Sequence, residues 1–323
     1  MRQLAAGYLL LANLCGKVIW QYPSWFFSSG FGIIGRQPPI AASRQLPPVA
    51  NASRQPPMAS CQSLLVSNYN DSSKILMNMQ SVWRESFEVK SYHVDFQQNI
   101  KPSALMQLFQ EVASNHAAEL GWGYNVLIEK GFFWALSRLK VEIIRMPRWD
   151  ETILFETWPC GLEGLFFRRD FIIYDKDQQV IVRGVSGWLL LAVSTLRPQR
   201  PTQLGVELPS NTGKRAMARF PDRIATQTDE TIFRKTVAYN EIDQNLHVNN
   251  TRYLDWATDC FQLSHYQTNT ISDYTLEFLA ETHWGDEIEL RKGQAANQSA
   301  IEAFETSSET LLFRAVITWQ KTF

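Results

Sequence analysis

"IFRKTVAYNEIDQN" (Ile232–Asn245) has an earlier partner in "SFEVKSYHVDFQQN" (Ser86–Asn99), where Phe87 answers Phe233 and Asn99 answers Asn245, 146 residues upstream. A segment that occurs twice in a chain of 323 residues points to a duplicated unit. A helical stretch follows each copy. In "SALMQLFQEVASNHAAELG" (Ser103–Gly121), Leu105, Leu108, Phe109 and Val112 fall at i, i+3, i+4 and i+7; in "NNTRYLDWATDC" (Asn249–Cys260), Tyr253, Trp256, Ala257 and Cys260 do the same. Strand-like runs come next: "FFWALSRLKVEIIRM", "ETILFETWPC", "LFFRRDFIIYD" and "QQVIVRGVSGWLLLAV" after the first helix, "DYTLEFLAETHWGDEIELRKG", "AIEAFET" and "TLLFRAVITWQK" after the second. One helix and an antiparallel meander, twice over, predicts an α+β chain in which a sheet wraps a central helix in each repeat. We place the repeats at 81–200 and 231–323, joined by a linker at 201–230.

The totals narrow the function. With 45% hydrophobic and 20% charged residues, the composition is that of a globular protein. A net charge of -1 and the lack of a Lys/Arg run argue against nucleic acid as a partner. Cys15, Cys61, Cys160 and Cys260 have neither CxxC nor His-linked spacing, so no zinc site and no disulfide framework is signalled, and no cofactor or metal is implied. Residues 1–80 read differently: "RQPP", "RQLPP" and "RQPP" begin at Arg36, Arg44 and Arg54, and no acid appears before Asp71. The apolar "LAAGYLLLANLCG" is shorter than the ~20 residues of a membrane helix, and it lacks the basic flank and A-x-A site of a signal peptide. An organellar transit segment suits the missing acids, and initiation at Met77 or Met79 suits the abrupt change in composition. Either way the tail is expected to lie outside the fold.

The second repeat carries polar residues that need explaining. Asn249 or Asn250 reads as an ordinary N-cap, and Asp243 and Asn245 as turn formers. His247 fits neither role. In an extended segment, residues 243, 245 and 247 would share one face, bringing a carboxylate, a carboxamide and an imidazole together at a helix N-terminus. That is the equipment of a hydrolytic site.

"DQNLHVNNTRYLDW" resembles the D-x-N-x-H-V-N-N-x-x-Y stretch of the acyl-acyl-carrier-protein thioesterases, the plant-type enzymes and their bacterial relatives. The resemblance extends through "FFWALSRLKVEIIRMPRWDETILFETWP", "FRRDFIIYD", "SGWLLLAVSTLRPQRP" and "LEFLAETHWGD", in order, over most of Ser86–Gln320. It implies a double hotdog fold and hydrolysis of the thioester joining a fatty acyl chain to the phosphopantetheine arm of its carrier protein. The family's active-site residues fall on Asp243, Asn245, His247 and Glu281. Plant-type members carry Cys directly after that Glu; here it is Thr282, which excludes a thiolate at this position and favours water as the attacking group. Asn245 and backbone N–H groups at the start of the following helix would hold the oxyanion. Glu281, between Leu279 and Trp284, is the first choice to take a proton from water, with His247 its rival, and Asp243 would fix the tautomer or anchor Asn245.

An acyl chain needs an apolar tunnel. The first repeat is free to supply it, because Asp95 or a neighbour, Asn99 and Lys101 stand where the second has Asp243, Asn245 and His247. Leu105, Leu108, Phe109, Val112, Phe133 and Trp134 are the candidate lining, and simple core packing explains them equally well; His93 and His116 are expected to be structural. Arg145, Arg148, Arg168, Arg169, Arg197 and Arg200, with Lys214 and Arg215, are the candidate docking face for an acidic carrier protein. Single-hotdog acyl-CoA thioesterases read D-x-x-G-H-V-N-N, whereas Asn245 and Leu246 precede His247 here. A hotdog hydratase lacks the Glu281 block, and a non-catalytic acyl-sensing regulator needs a DNA-binding helical domain that this chain does not signal. No stable membrane insertion is expected; the expected state is a monomer or homodimer. The expected location is the cytoplasm, or the plastid stroma if the tail is a transit peptide.

Overall fold

The computed structural model describes residues 81–200, 210–225, 228 and 230–322; the tail read at 1–80 and part of the linker lie outside these. Among them the chain order is β1 (Trp83–Glu88), α1 (Pro102–Glu119), α2 (Tyr124–Glu129), β2 (Phe132–Ile143), β3 (Thr152–Glu163), β4 (Phe166–Tyr174) and β5 (Val180–Ala192). It continues with β6 (Glu230–Thr236), α3 (Asn250–Asp259), α4 (Leu263–Thr268), β7 (Asn269–Phe278), β8 (Glu287–Ala295), β9 (Gln298–Glu305) and β10 (Leu311–Lys321). All ten strands form one sheet in the order β1-β3-β4-β5-β2-β7-β10-β9-β8-β6. Read from either edge, the second half mirrors the first. The halves meet where β2 pairs antiparallel with β7, Arg138 against Glu277 and Glu142 against Asp273. This is the α+β architecture that the two helix-plus-meander patterns predict, and the double hotdog that the resemblance implies.

The apolar stripes of α1 and α3 pack against the sheet. Leu105, Phe109 and Val112 of α1 are buried in a core with Phe155 of β3 and Phe171 of β4. The Phe109 ring stands edge-on to both, with centroids 5.5 and 4.7 Å away. Helix and sheet approach closely enough that a Cβ at Gly184 would come within 3.0 Å of the Phe109 ring. Pro102 starts α1, where its missing N–H is not needed. Gly121 ends it at φ +75°, with the N–H of Gly121 on Ala118 O and that of Trp122 on Ala117 O. This reversal sends Trp122 back beside the helix it has just left.

The two repeats match turn for turn, but with a register that differs from the sequence reading by two residues. The Val94–Ile100 bridge corresponds to the Ile242–Val248 bridge. Gln98 and Leu246 both sit at positive φ, +65° and +64°. The N–H of Asp95 bonds Asn99 O as that of Asp243 bonds His247 O. Asp95, Gln97 and Asn99 are therefore the counterparts of Asp243, Asn245 and His247, and Lys101 is the counterpart of the N-cap Asn249. Pairing by residue identity sets Asn99 against Asn245, whereas the matched turns set Asn99 against His247, so the two-residue offset is invisible to a comparison of residue types.

Candidate active site

Residues 243–247 do not run extended. The N–H of Leu246 bonds Asp243 O at 3.0 Å and that of Asp243 bonds His247 O at 2.8 Å, closing a tight turn. One Asp243 carboxylate oxygen accepts the Asn245 N–H at 2.8 Å, an Asx turn that fixes where Asn245 begins. The shared face inferred from alternate spacing is thus replaced by a loop whose curvature does the gathering. Leu246 completes that loop in the left-handed region, 75% exposed. This is the place of the Gly in the single-hotdog pattern, which accounts for a Gly there and for its replacement by a residue that carries some strain.

The loop is pinned from behind. The N–H of Val248 bonds Thr282 O at 2.8 Å, joining the loop to the segment after β7, and the N–H of Asn249 bonds Glu241 O at 2.9 Å. Asn249 then caps α3, its side-chain oxygen accepting the N–H of Thr251 at 3.0 Å and the Thr251 hydroxyl at 2.7 Å. Thr282 is fully buried, and its hydroxyl meets the Tyr253 hydroxyl at 2.7 Å. Burial, with Glu281, Asp286 and Asp243 nearby, pushes the Tyr253 phenol up to about 12. Beneath them Glu241 accepts from Trp256 Nε1 at 2.6 Å, from the N–H of Ala238 at 2.7 Å and from Lys235. Burial alone would raise this carboxyl, yet these donors hold it below the usual carboxylate range.

On this base, Nε2 of His247 comes 3.4 Å from a carboxylate oxygen of Glu281, both side chains about one-third exposed. Leu279 and Trp284 are 39% and 71% exposed, so the apolar enclosure expected around Glu281 is absent; the segment bulges outward after β7. Asn245 borders a cavity of about 740 Å³, together with Gln244. The expected oxyanion donors at the helix start are mostly occupied: Val248, Asn249, Thr251 and Arg252 all spend their N–H groups within the fold. What the sequence did not single out is His283, whose ring stands edge-on to His247 with centroids 4.9 Å apart. Its signal was the "THWGD" that follows Glu281, since a turn with Gly285 at φ +87° folds those residues back.

The cavity runs into the first repeat. Its wall includes Gln110, Ala113, Ser114 and Ala117, which form one face of α1, with Leu120, Trp122 and Trp134 beyond. The small side chains of that face leave the space. Of the six candidate lining residues only Trp134 borders it; Leu105, Leu108, Phe109 and Val112 occupy the helix face turned to the core, and Phe133 points the other way along β2. Arg168 and Arg169 are on the wall as well, but buried. Arg168 makes a two-pronged bond to Asp170 at 2.7 and 3.0 Å. Arg169 contacts His116 Nδ1 at 3.0 Å, and burial pulls its guanidinium down to about 10. Neither is free to meet a carrier protein. His93 accepts the N–H of Lys90 at a 3₁₀ turn, so it and His116 stand apart from the site.

The remaining arginines divide. Phe132 pairs with Ala192 and Ile143 with Val182, so Arg197 and Arg200 lie beyond one end of the 12-residue β2 and Arg145 and Arg148 beyond the other, about 35 Å away at ~3.3 Å per residue. Arg200 is exposed and borders the cavity with Gln199 at the end that carries Asn245. Arg145 is paired with Glu151 at 2.6 Å. Lys214 is engaged with Glu156 and lies 4.2 Å over the Trp158 ring, holding the linker to the sheet; Arg215 reaches Cys160 O at 3.2 Å. Cys160 and Cys260 are buried and free, and burial pushes their thiols up to about 11 and about 12, far from the thiolate a nucleophile needs. Among the described residues no helix is long and apolar enough to cross a membrane.

Comparison with known proteins agrees with this geometry. Family models for the acyl-ACP thioesterase N-terminal domain and the acyl-ACP thioesterase C-terminal domain match residues 80–203 and 224–321. A chloroplastic dodecanoyl-[acyl-carrier-protein] hydrolase of Cinnamomum camphora is 29% identical over 223 residues, covering 62% of this chain and 56% of that one. The crystal structure of an acyl-ACP thioesterase from Bacteroides thetaiotaomicron superposes with a TM-score of 0.66 at 27% identity, over 74% of this chain and 98% of that one. The 12:0-ACP thioesterase of Umbellularia californica shares the fold, with a TM-score of 0.62 at 22% identity over 75% of this chain and 98% of that one. The chain spans about half the length of the first curated relatives it matches.

Proposed function

The chain belongs to the acyl-ACP thioesterase family, and on that premise we propose that it hydrolyses the thioester of a fatty acyl group held on acyl carrier protein, releasing the free acid. The observation that carries this reading is the junction between the two repeats. The Asn245 turn of the second borders a cavity walled by the first, and the same turn ends at His247 beside Glu281. An acyl chain in that cavity would leave its carbonyl at the Asn245 turn, with the pantetheine arm running out past Gln199 and Arg200.

Chemistry then follows from the charges that develop. Water attacks the carbonyl carbon and gives its proton to Glu281, while His247 at 3.4 Å positions the pair. The oxyanion accepts from the Asn245 carboxamide and the N–H of Asn250, first residue of α3. As the carbon–sulfur bond breaks, the proton passes through His247 to the departing thiolate. Asp243 acts through the Asn245 backbone that it holds. No cysteine takes part.

Carrier protein is met at the end of the sheet that bears Arg197 and Arg200, and Arg145 and Arg148 belong to a different surface. We place the protein in the cytoplasm, or in the plastid stroma if residues 1–80 direct it there, as a monomer or a homodimer. The test is hydrolysis of an acyl ladder on carrier protein and on coenzyme A by the full chain and by Asp243→Ala, Asn245→Ala, His247→Ala and Glu281→Gln. Faster turnover of carrier-bound chains, lost in the folded His247 and Glu281 variants, is the expected result. Preference for coenzyme A thioesters would move the substrate to that class, and a Glu281→Gln variant at full rate would make His247 the base.

A further inference from the structure

We propose that His247, Glu281 and His283 form a binding site for a divalent transition-metal cation of the Zn²⁺ class, which shuts the site off by occupying the groups that would handle the water proton. A donor atom from each of the three lies within 4.8 Å of the others, and the His247–Glu281 separation is 3.4 Å. Ligands around tetrahedral zinc at ~2.1 Å stand about 3.4 Å from one another. One edge of that figure is therefore already in place, and only His283 has to move inward, by about 1.4 Å. Its side chain is 57% exposed and free to turn.

What stands behind His283 favours the same role. Its Nδ1 lies 3.8 Å from a carboxylate oxygen of Asp286, so a small turn of the ring would let that nitrogen bond Asp286 while Nε2 meets a cation. Metal-bound imidazoles regularly have a carboxylate on their other nitrogen. Asp286 is itself fixed, because the same oxygen accepts the His283 N–H at 2.7 Å. Three carboxylates, Asp243, Glu281 and Asp286, crowd this corner closely enough to act together on the Tyr253 hydroxyl, a field that draws a cation in. Two imidazoles and one carboxylate select zinc, nickel or copper over magnesium or calcium, whose shells are built from oxygen.

The first repeat supplies an internal contrast. Its matching bridge pairs Val94 with Ile100, and the N–H of Ile100 bonds Pro147 O as that of Val248 bonds Thr282 O. Asn99, Met146 and Arg148 thus hold the places of His247, Glu281 and His283. An arginine repels a cation, and one weak thioether beside a carboxamide does not replace two imidazoles and a carboxylate. Among the described residues the ligand set stands on the His247 turn and the segment bonded to it.

The proposal has two parts, and only the inhibition rests on the thioesterase reading. Binding is measured first without substrate, by calorimetric titration of the full chain with Zn²⁺ at neutral pH, for the wild type, His283→Ala and Asp286→Asn. The difference between proteins reports this site whatever Cys15 and Cys61 of the tail take up. We expect one equivalent of zinc to be lost or weakened at least about tenfold in His283→Ala, and weakened about tenfold in Asp286→Asn. Turnover is measured second: zinc should inhibit the wild type reversibly, with EDTA restoring the rate. His283→Ala should keep the basal rate and need at least about tenfold more zinc. Identical titrations for wild type and His283→Ala overturn the site. Zinc that binds here yet leaves turnover unchanged, or raises it, overturns the inhibitory role. A wild type without thioesterase activity leaves the binding half standing and defeats the reading of function instead.

Discussion

Tyr253→Phe removes one oxygen, 2.7 Å from the Thr282 hydroxyl, in a place where Tyr253 is 3% exposed and Thr282 not at all. The phenyl ring keeps its contacts with Trp256, Phe278 and Phe313, so the change is confined to the hydrogen bond. A buried hydroxyl left without its partner costs about 1–3 kcal/mol, and we expect a loss of about 2 kcal/mol in urea unfolding. The loss should not stop at stability. Thr282 lies between Glu281 and His283, and its carbonyl carries the His247 loop through the N–H of Val248. Freed of its anchor, the segment lets Glu281 drift from His247, and kcat should fall with little change in KM. Restoring a matched apolar pair in Tyr253→Phe/Thr282→Val should recover most of the stability, since neither partner is then orphaned. A single variant within about 0.5 kcal/mol of wild type, or a double variant whose losses simply add, would refute the claim that this hydroxyl pair holds the site.

Thr282→Cys introduces the residue that the plant-type relatives carry, but into a buried position; it should retain turnover and resist alkylation in the folded state, which iodoacetamide labelling checks. Leu246→Gly should be stabilising or neutral, because relief of about 1 kcal/mol of left-handed strain is offset by glycine's chain entropy of about 0.5–1 kcal/mol. Leu246→Val at φ +64° should lower the melting temperature instead. Gly184→Val should destabilise by several kcal/mol, since even a Cβ meets the Phe109 ring at 3.0 Å; a melting temperature equal to wild type would show that α1 can retreat. Glu241→Gln should destabilise at neutral pH and not in acid. The native carboxyl is held below its ordinary value of 4.5, so its contribution is full above that value and disappears as pH falls through the lower native one, a trend that urea titrations between pH 3 and 7 resolve.

The sequence was legible where a pattern maps onto a period. Apolar residues at helical spacing located α1 and α3, and the two meanders located β2–β5 and β7–β10, because burial of one face leaves a direct trace in residue type; the edge strands β1 and β6, which precede the helices, are not in that reading. Register was not legible to the same degree, since residue identity pairs Asn99 with Asn245 while the matched turns pair it with His247. Asp243, Asn245 and His247 were identified as residue types while their geometry was misread as extended. The turn depends on Leu246 taking a positive φ, and leucine gives no signal for that. The cavity escaped for a related reason. A hydrophobic residue marks a cavity wall only where it faces the space, and here the space lies along the small side chains of Ala113, Ser114 and Ala117 on α1, so that absence of bulk is the clue. Likewise Arg168 and Arg169 read as a surface pair because strand charges usually face solvent, while Asp170 two positions on carries the partner that lets Arg168 be buried.

Duplication explains why one chain can hold a site and a cavity of such different character. A pseudo-twofold across β2 and β7 gives each repeat the same turn, the same bridge and the same helix start. In the second repeat the turn ends in His247 beside Glu281. In the first, Asn99 and Met146 stand at those places, and no acid–base chemistry is available. The helices diverge in the complementary sense: α1 runs for 18 residues and ends in a reversal that brings Trp122 and α2 alongside, whereas α3 stops after 10. The longer helix can flank a cavity along its last two turns because nothing catalytic has to be held at its start. The shorter one keeps its capped N-terminus, Tyr253 and Trp256 engaged in fixing the loop and the Glu281 segment. The last turns of α1 and the Gln244–Asn245 turn that leads into α3 border the same cavity, so the antiparallel pairing of β2 with β7 sets the cavity of one repeat against the polar turn of the other. Each half then lacks what the other provides, and the proposed reaction would need both.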